Sequence, residues 1–248
     1  MKLKYLFDIV MILSIVLTGY YAVPEDNIPP GYITIGGRRI GTESTSLLLN
    51  NMNLSDEDIV PLRYMTNLTR LDLGGNQISD LTPLAELTNL TWLFLDINQI
   101  SDLTPLAELT NLTQLNLFGN QISDLTPLAG MVNLKYLRLE HNQISDLTPL
   151  ANLTNLGGLH LTNNQISDLS TLANLTNLIA LGLDDNQISD IMPLTELTWL
   201  LHINLDGNEI SDLTPFANTI YINWLSLREN PITDWSPVEH FVNVAGRP

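Results

Sequence analysis

Four histidines are the residues of this sequence best suited to acid–base or metal chemistry, because the chain contains no cysteine. They stand in different segments, and no serine lies in a motif that would activate it as a nucleophile. His141 and His160 come nearest to each other, but a three-residue offset along neighbouring strands would separate them by about 10 Å. That distance is too long for two ligands of one zinc ion. We therefore expect no catalytic residues, no resident metal and no cofactor; the other two histidines are His202 and His240.

Carboxylates are the second group of candidate ligands, since 27 acidic residues face only 10 basic ones. Asp184, Asp185 and Asp206 come nearest to a calcium-binding set. Such a site needs several oxygens that converge on one point, and three spread carboxylates do not meet that requirement. The formal net charge of −17 argues against nucleic acid as a partner. The chemistry of this chain is therefore expected to be recognition of a protein.

The spacing of the asparagines predicts the fold. Eight of them follow one another at intervals of 22 residues, and a fixed period of this length is typical of a solenoid. In each repeat two leucines alternate with outward residues, as Leu93 and Leu95 do around Phe94, which predicts a short strand. The asparagine ends that strand, and its amide can bond to both N–H and C=O groups of the backbone. We expect a buried, hydrogen-bonded ladder of Asn76, Asn98, Asn120, Asn142, Asn164, Asn186, Asn208 and Asn230.

A column of aspartates with the same spacing predicts how each coil returns. Asp102, for example, precedes Leu-Thr-Pro-Leu, where its side chain can cap the free N–H groups of the turn. Pro105 fixes φ and discourages a longer helix. The return leg should therefore be a short helical or 3-10 turn.

The frame LxxLxLxxNxIxDLxPLxxLxx resembles the 22-residue leucine-rich repeat of bacterial internalin-like proteins. The resemblance implies an α/β fold: a right-handed leucine-rich-repeat solenoid, curved like a horseshoe, with a parallel β-sheet on its concave side and short helical or 3-10 turns on its convex side. It also implies that proteins are recognised on the concave β-sheet face. We call the outward side of this sheet the strand face.

Ten residues of the strand face are candidate ligand-binding residues. The inward leucines already fill the core, so outward aromatic side chains need another explanation. Clusters of aromatic residues and arginine are common at the centres of protein interfaces. Packing of these rings on one another across strands is the alternative. The candidates are Trp92, Phe94, Asp96, Phe118, Tyr136, Arg138, Glu140, His160, His202 and Trp224, and small residues at 157, 158, 180 and 182 predict a smooth stretch beside them.

The first residues differ in composition from the rest of the chain. Lys2 and Lys4 precede an apolar run from Ile9 to Leu17, which is too short for a comfortable membrane span. We interpret residues 1–22 as a signal peptide or an uncleaved anchor. Export to the medium or to the cell surface follows, with no membrane contact beyond that anchor.

The remaining chain divides into three parts. Residues 23–45 are expected to form an N-terminal cap with a β-hairpin that turns at Gly36 and Gly37. Residues 46–244 are expected to form nine coils, and residues 245–248 a C-terminal tail. At that end Trp235 and Phe241 close the core, or the end serves association, or the sequence is truncated.

These patterns together predict a non-catalytic, exported module that binds a protein ligand of unknown identity on the strand face. Two other functions remain open. The chain could be a structural module that self-associates by stacking through its C-terminal end, which light scattering would detect. It could also be an intracellular scaffold that resembles the leucine-rich-repeat regulatory subunits of protein phosphatases, and cell fractionation would decide between that and export.

Overall fold

The computed structural model of the chain describes residues 31–219 and 221–247. In these residues a two-stranded antiparallel hairpin precedes a parallel sheet of ten strands. The predicted leader at residues 1–22 and the start of the predicted cap, residues 23–30, lie outside the described residues. The strands are β1 (Tyr32–Ile35), β2 (Arg38–Gly41), β3 (Ser46–Leu48), β4 (Arg70–Asp72), β5 (Trp92–Phe94), β6 (Gln114–Asn116), β7 (Tyr136–Arg138), β8 (Gly158–His160), β9 (Ala180–Gly182), β10 (His202–Asn204), β11 (Trp224–Ser226) and β12 (Val244–Ala245).

Each strand of the repeats places one apolar side chain inward between two outward ones. Leu93 of β5 is buried between Trp92 and Phe94, and it pairs in register with Leu71 and Leu115 of the neighbouring strands. Because corresponding residues stack, the leucines of successive coils form one continuous hydrophobic core. The predicted leucine-rich-repeat solenoid is thereby confirmed.

The return legs are short 3-10 turns, as the proline column predicts. In the repeats the aspartates cap these turns: Asp102 Oδ1 accepts a hydrogen bond of 2.8 Å from the backbone N–H of Thr104. All eight aspartates of the column make this contact at 2.8–2.9 Å. Within the described residues one α-helix, α1 (Asp56–Ile59), precedes the first of these turns. The turns are Val60–Tyr64, Thr82–Leu84, Thr104–Leu106, Thr126–Leu128, Thr148–Leu150, Ser170–Asn174, Met192–Glu196, Thr214–Phe216 and Ser236–Val238.

The asparagine column bonds each coil to the one before it. Asn98 Nδ2 donates to the carbonyl oxygen of Leu95 at 3.1 Å and to that of Leu73, one coil earlier, at 3.0 Å. Asn98 Oδ1 accepts from the backbone N–H of Ile78 at 3.0 Å. The predicted ladder therefore exists, and its bonds run from amide to backbone. Half of the column is buried, namely Asn76, Asn164, Asn186 and Asn208, and the other half is partly exposed.

The hairpin and the first coil form the N-terminal end of the described repeats. Ile33, Ile35 and Ile40 of the hairpin join the core that the repeats share. In the first coil Met52 stands where later coils have asparagine, and its backbone N–H donates to Asn76 Oδ1 at 3.1 Å. The hairpin thus forms where the sequence predicts it, while its role as a cap stays a prediction.

The C-terminal end differs from the predicted nine coils followed by a tail at residues 245–248. The strand β12 extends the sheet to a tenth strand, because Leu225 N–H donates to Asn243 O and Leu227 N–H to Ala245 O, both at 3.0 Å. A two-residue strand needs only such backbone bonds. Because the side chains of β12 do not follow the repeat frame, the sequence pattern did not predict this strand. Phe241 is buried and Trp235 packs against the core, in agreement with the first of the three predicted alternatives for this end. No helix within the described residues is long and apolar enough to cross a membrane.

Candidate functional site

The N-terminal part of the strand face carries a stack of three flat groups. The rings of Trp92 and Phe94 lie 5.6 Å apart and nearly parallel on β5. The guanidinium of Arg70, on the preceding strand, lies 4.0 Å above the Trp92 ring. Leu48 on β3 is exposed and borders the same group, leaving a depression of about 140 Å³ between Leu48 and Phe94. An apolar depression with a cationic edge is suited to an apolar side chain of a partner.

Arg138 and Phe118 form a second group on the next strands. The guanidinium carbon of Arg138 lies 5.4 Å from the Phe118 ring, and His141 meets the same ring edge-on at 5.0 Å. Glu140 Oε1 accepts two hydrogen bonds from Arg138, from Nε at 2.9 Å and from Nη2 at 2.7 Å. These bonds to Glu140 raise the pKa of Arg138. The arginine is therefore fixed in position before any ligand arrives.

Glu140 is largely buried and bonded to Arg138. It is only 7% exposed, and its Oε2 is buried and has no hydrogen-bond partner in the described part of the chain. A buried carboxylate of this kind is costly unless a charge compensates it. Arg138 supplies that charge, and Glu140 in turn holds the guanidinium in place, while the role of Glu140 in ligand binding stays a prediction.

Tyr136 and His160 form a third group across neighbouring strands. The Tyr136 hydroxyl lies 3.0 Å from His160 Nε2, and the two rings are 5.3 Å apart. Tyr136 lies over Gly158, where an added Cβ would come within 2.5 Å of the ring. Burial lowers the pKa of His160, which disfavours the charged form of the ring. The glycine thus allows the tyrosine ring to lie flat across β8.

Asp96 also lies on the strand face, at the end where the strands exit. It accepts a hydrogen bond of 2.9 Å from Asn116 Nδ2. An added Cβ at Gly74 would lie 2.9 Å from Asp96 Oδ1, so this glycine makes room for the carboxylate. Burial, together with the charge of Asp72, raises the pKa of Asp96. The carboxylate is consequently easier to protonate than an exposed one.

The remaining two candidates lie on the far side of a hollow. His202 and Trp224 are exposed on β10 and β11, while β9 between them and the aromatic groups presents only Ala180 and Gly182. The hollow above β9 measures about 350 Å³. The structure thus brings eight of the ten predicted residues into neighbouring groups on β5 to β8 and places the other two across the hollow.

Three residues of this surface were absent from the predicted set. Leu48 and Arg70 were left out of the predicted ligand-binding set because their strands precede the aromatic cluster in the sequence. Ile97, which follows Asp96, is 57% exposed and has a φ of 52°. This left-handed conformation disfavours a β-branched residue. A signal was available in the other coils: this position is occupied there by Gly75, Gly119 and Gly207 or by residues that are not β-branched, namely His141, Asn163, Asp185 and Glu229.

Comparison with known proteins agrees with this architecture. A family model described as "Leucine Rich repeats (2 copies)" matches residues 45–86, 88–130 and 132–174. The crystal structure of the internalin InlF from Listeria monocytogenes is similar, with a TM-score of 0.78 and 38% sequence identity over 84% of this chain and 63% of that one. Internalin C2 (InlC2) from the same organism has 42% identity over 76% of this chain and 80% of that one, with a TM-score of 0.68. This chain is an internalin-like leucine-rich-repeat protein.

The internalin-like chain spans somewhat less than two thirds of the length of InlF. A leucine-rich-repeat protein from Leptospira interrogans, with 19% identity over 75% of this chain and 62% of that one and a TM-score of 0.57, shares the fold alone. No curated protein matches the sequence. Among the described residues no group of three or more His, Asp or Glu side chains could hold a metal ion. The fold is that of a protein-binding repeat module.

Proposed function

We propose that this internalin-like chain is an exported, non-catalytic protein that binds a protein ligand through its strand face. One observation carries the proposal: Trp92, Phe94, Phe118 and Tyr136 all present ring surface outward although the core is already filled by leucines. Burying such a ring against a partner removes more apolar surface from water than most other side chains can. Aromatic residues and arginine also supply most of the binding energy in protein interfaces.

The contacts among these side chains support the same proposal. Arg138 is held by Glu140, Tyr136 by His160, and Trp92 by Arg70. Side chains that are fixed before binding lose little conformational freedom when a ligand arrives. Cross-strand packing alone would explain contacts between rings, but not the exposed surface that remains. We therefore place the centre of the interface on β5 to β7.

The test compares aromatic residues on the strand face with the same residue types elsewhere. The immobilised protein captures binding partners from cell-surface extracts, and a captured protein is then purified for surface plasmon resonance. We expect the variant Trp92→Ala/Tyr136→Ala to weaken binding at least a hundredfold, about 2.7 kcal/mol. The control is Trp199→Ala/Tyr221→Ala, which removes two exposed aromatic residues outside the strand face. Equal affinity of both variants would contradict the proposal.

Self-association through the last coils is the second candidate. Val242 and Trp199 are the most exposed large apolar side chains of the described residues, at 92% and 67%. Light scattering on wild type and on Val242→Asp tests it, since the substitution affects no buried side chain. Loss of an oligomer in the variant supports stacking, and a monomeric wild type excludes it. Trp235 is less suitable for substitution, because it packs against the core.

Export is supported by the apolar run that follows Lys2 and Lys4. It is also what the resemblance to internalins implies. A C-terminally tagged chain should therefore be recovered from the culture medium or the cell surface. Recovery of the intact chain from the cytosol would favour the intracellular scaffold.

A further inference from the structure

The hollow above β9 exists because one strand lacks large outward side chains. His160 and Thr162 stand on one side of it, and His202 and Asn204 on the other. Between them Ala180 and Gly182 form the floor. The hollow of about 350 Å³ is thus within the size range of ligand pockets in proteins, although it is open to solvent.

Gly182 has no conformational reason to be glycine. Its φ is not positive, so residues other than glycine can adopt the same backbone conformation. A glycine within a strand weakens that strand and often marks a close approach by another molecule. An added Cβ would lie 3.3 Å from His160 Nδ1 and 3.5 Å from Thr162 Oγ1. Any larger side chain at this position would therefore crowd His160 and occupy part of the hollow.

The walls of the hollow favour a cation that is also flat. Trp224 provides an indole ring that is 40% exposed. Asp184 provides a carboxylate whose Oδ1 accepts a hydrogen bond of 2.7 Å from the Thr162 hydroxyl. The lining of the hollow contains no lysine or arginine, and Asp184 is its one carboxylate. The local charge is therefore negative.

We propose that this hollow receives an arginine side chain of the protein ligand, an assignment that rests on the proposed function of the strand face. A guanidinium can direct two N–H groups to one carboxylate while its methylene stem packs along small residues toward an aromatic ring. Asp184 is the carboxylate of the lining, and Ala180 and Gly182 form the floor between it and Trp224. An anionic side chain would face Asp184 without a compensating cation, and an apolar one would leave the polar lining without partners.

The test needs no knowledge of the ligand. N-acetyl-arginine amide is titrated into ¹⁵N-labelled full-length protein, and the indole N–H of Trp224 and the amide of Gly182 are followed by NMR. The control probe is N-acetyl-citrulline amide, which has nearly the same shape but no charge. We expect saturable shifts with the arginine probe only. Asp184→Asn should weaken its binding at least about tenfold, because it removes the charge and keeps an oxygen for Thr162.

Two further variants separate a specific site from general attraction to an acidic protein. Glu196→Gln removes one exposed carboxylate from a return leg and should leave the affinity unchanged. Gly182→Ala should weaken binding by filling the floor. The assignment is overturned if the arginine probe causes no saturable shift, if citrulline binds equally well, or if Glu196→Gln has the same effect as Asp184→Asn. Such a failure would leave the aromatic interface on β5 to β7 standing, since its own test uses the Trp92 and Tyr136 variant.

Discussion

At the scale of single residues, the asparagines carry more of the stability of this protein than their number suggests. Asn164 Nδ2 donates to Leu139 O and Leu161 O at 3.0 Å each, and Asn164 Oδ1 accepts from Ile144 N–H at 3.0 Å. These backbone groups lie inside the coil, where no other donor or acceptor replaces the amide. One side chain therefore satisfies polar groups of two coils at once.

Replacing Asn164 by alanine should lower the free energy of unfolding by about 3 kcal/mol, because several buried backbone groups lose their partner. Urea denaturation followed by circular dichroism measures the loss. The control is Asn177→Ala, since Asn177 is exposed and donates one hydrogen bond, to Thr154 O at 2.8 Å. That variant should lose about 1 kcal/mol. Equal losses would show that burial of the amide has no effect.

The left-handed backbone conformation of Ile97 lowers the stability of the fold near the aromatic cluster. Replacing it by glycine should raise the free energy of unfolding by about 1 kcal/mol, because the left-handed conformation disfavours a β-branched residue. The matched control is Ile179→Gly, at an exposed isoleucine without positive φ, which should be destabilising. Urea denaturation measures both. A loss of stability in Ile97→Gly would indicate that the isoleucine contributes packing instead.

At the scale of the secondary-structure elements, the aspartate caps make stability depend on pH. Hydrogen bonds from Thr104 lower the pKa of Asp102, and the corresponding contacts lower the pKa of Asp124, Asp146 and Asp168. A carboxyl group with a lowered pKa in the folded state stabilises the fold above its unfolded pKa, about 3.9. That contribution disappears as the pH falls through the folded-state value. Below about pH 4 the protein should therefore lose stability progressively.

A variant with asparagine at these four positions should show a shallower loss below pH 4, because the amide oxygen can still accept the capping N–H but does not protonate. Urea midpoints between pH 3 and 7 measure the effect. The control replaces four exposed glutamates by glutamine: Glu86, Glu108, Glu196 and Glu239. If the control variant loses its urea midpoint with falling pH as slowly as the asparagine variant does, net charge and not capping causes the acid sensitivity.

At the scale of the whole molecule, the repeat architecture allows stability and recognition to be separated. Each coil bonds mainly to its neighbours in the sheet and through the asparagines, so the removal of one internal coil leaves the others able to stack. Recognition is not distributed in this way. Its candidate groups belong to particular strands, and deletion of one coil removes particular side chains.

Two deletions of equal length should therefore have similar stability but different binding. Deletion of residues 78–99 removes β5 with Trp92 and Phe94, while deletion of residues 166–187 removes β9 with the floor of the hollow. Both join Gln to Ile and keep the repeat frame. Circular dichroism should show both folded. The variant without residues 78–99 should no longer bind the protein partner but should still bind the arginine probe. The variant without residues 166–187 should no longer bind the probe. Loss of both activities in both variants would contradict a division into two sites.

The regular part of this fold follows from the sequence because its causes are local and repeated. Each coil places the same residue types at the same spacing, so the inward leucines, the capping aspartates and the bonding asparagines could be assigned from one repeat and applied to the rest. The tenth strand was missed because backbone bonds to β11 define it, and no repeated side chain marks it.

The sequence also placed the aromatic residues on the strand face, since alternation along a strand fixes which side chains point outward. What only the tertiary structure decided is how those side chains meet. The support of Arg138 by Glu140 lies within one coil and depends on rotamers that alternation leaves open. The position of Tyr136 over Gly158 and the hollow above β9 arise between different coils. These contacts depend on the distances between neighbouring coils, and a one-dimensional pattern does not contain them.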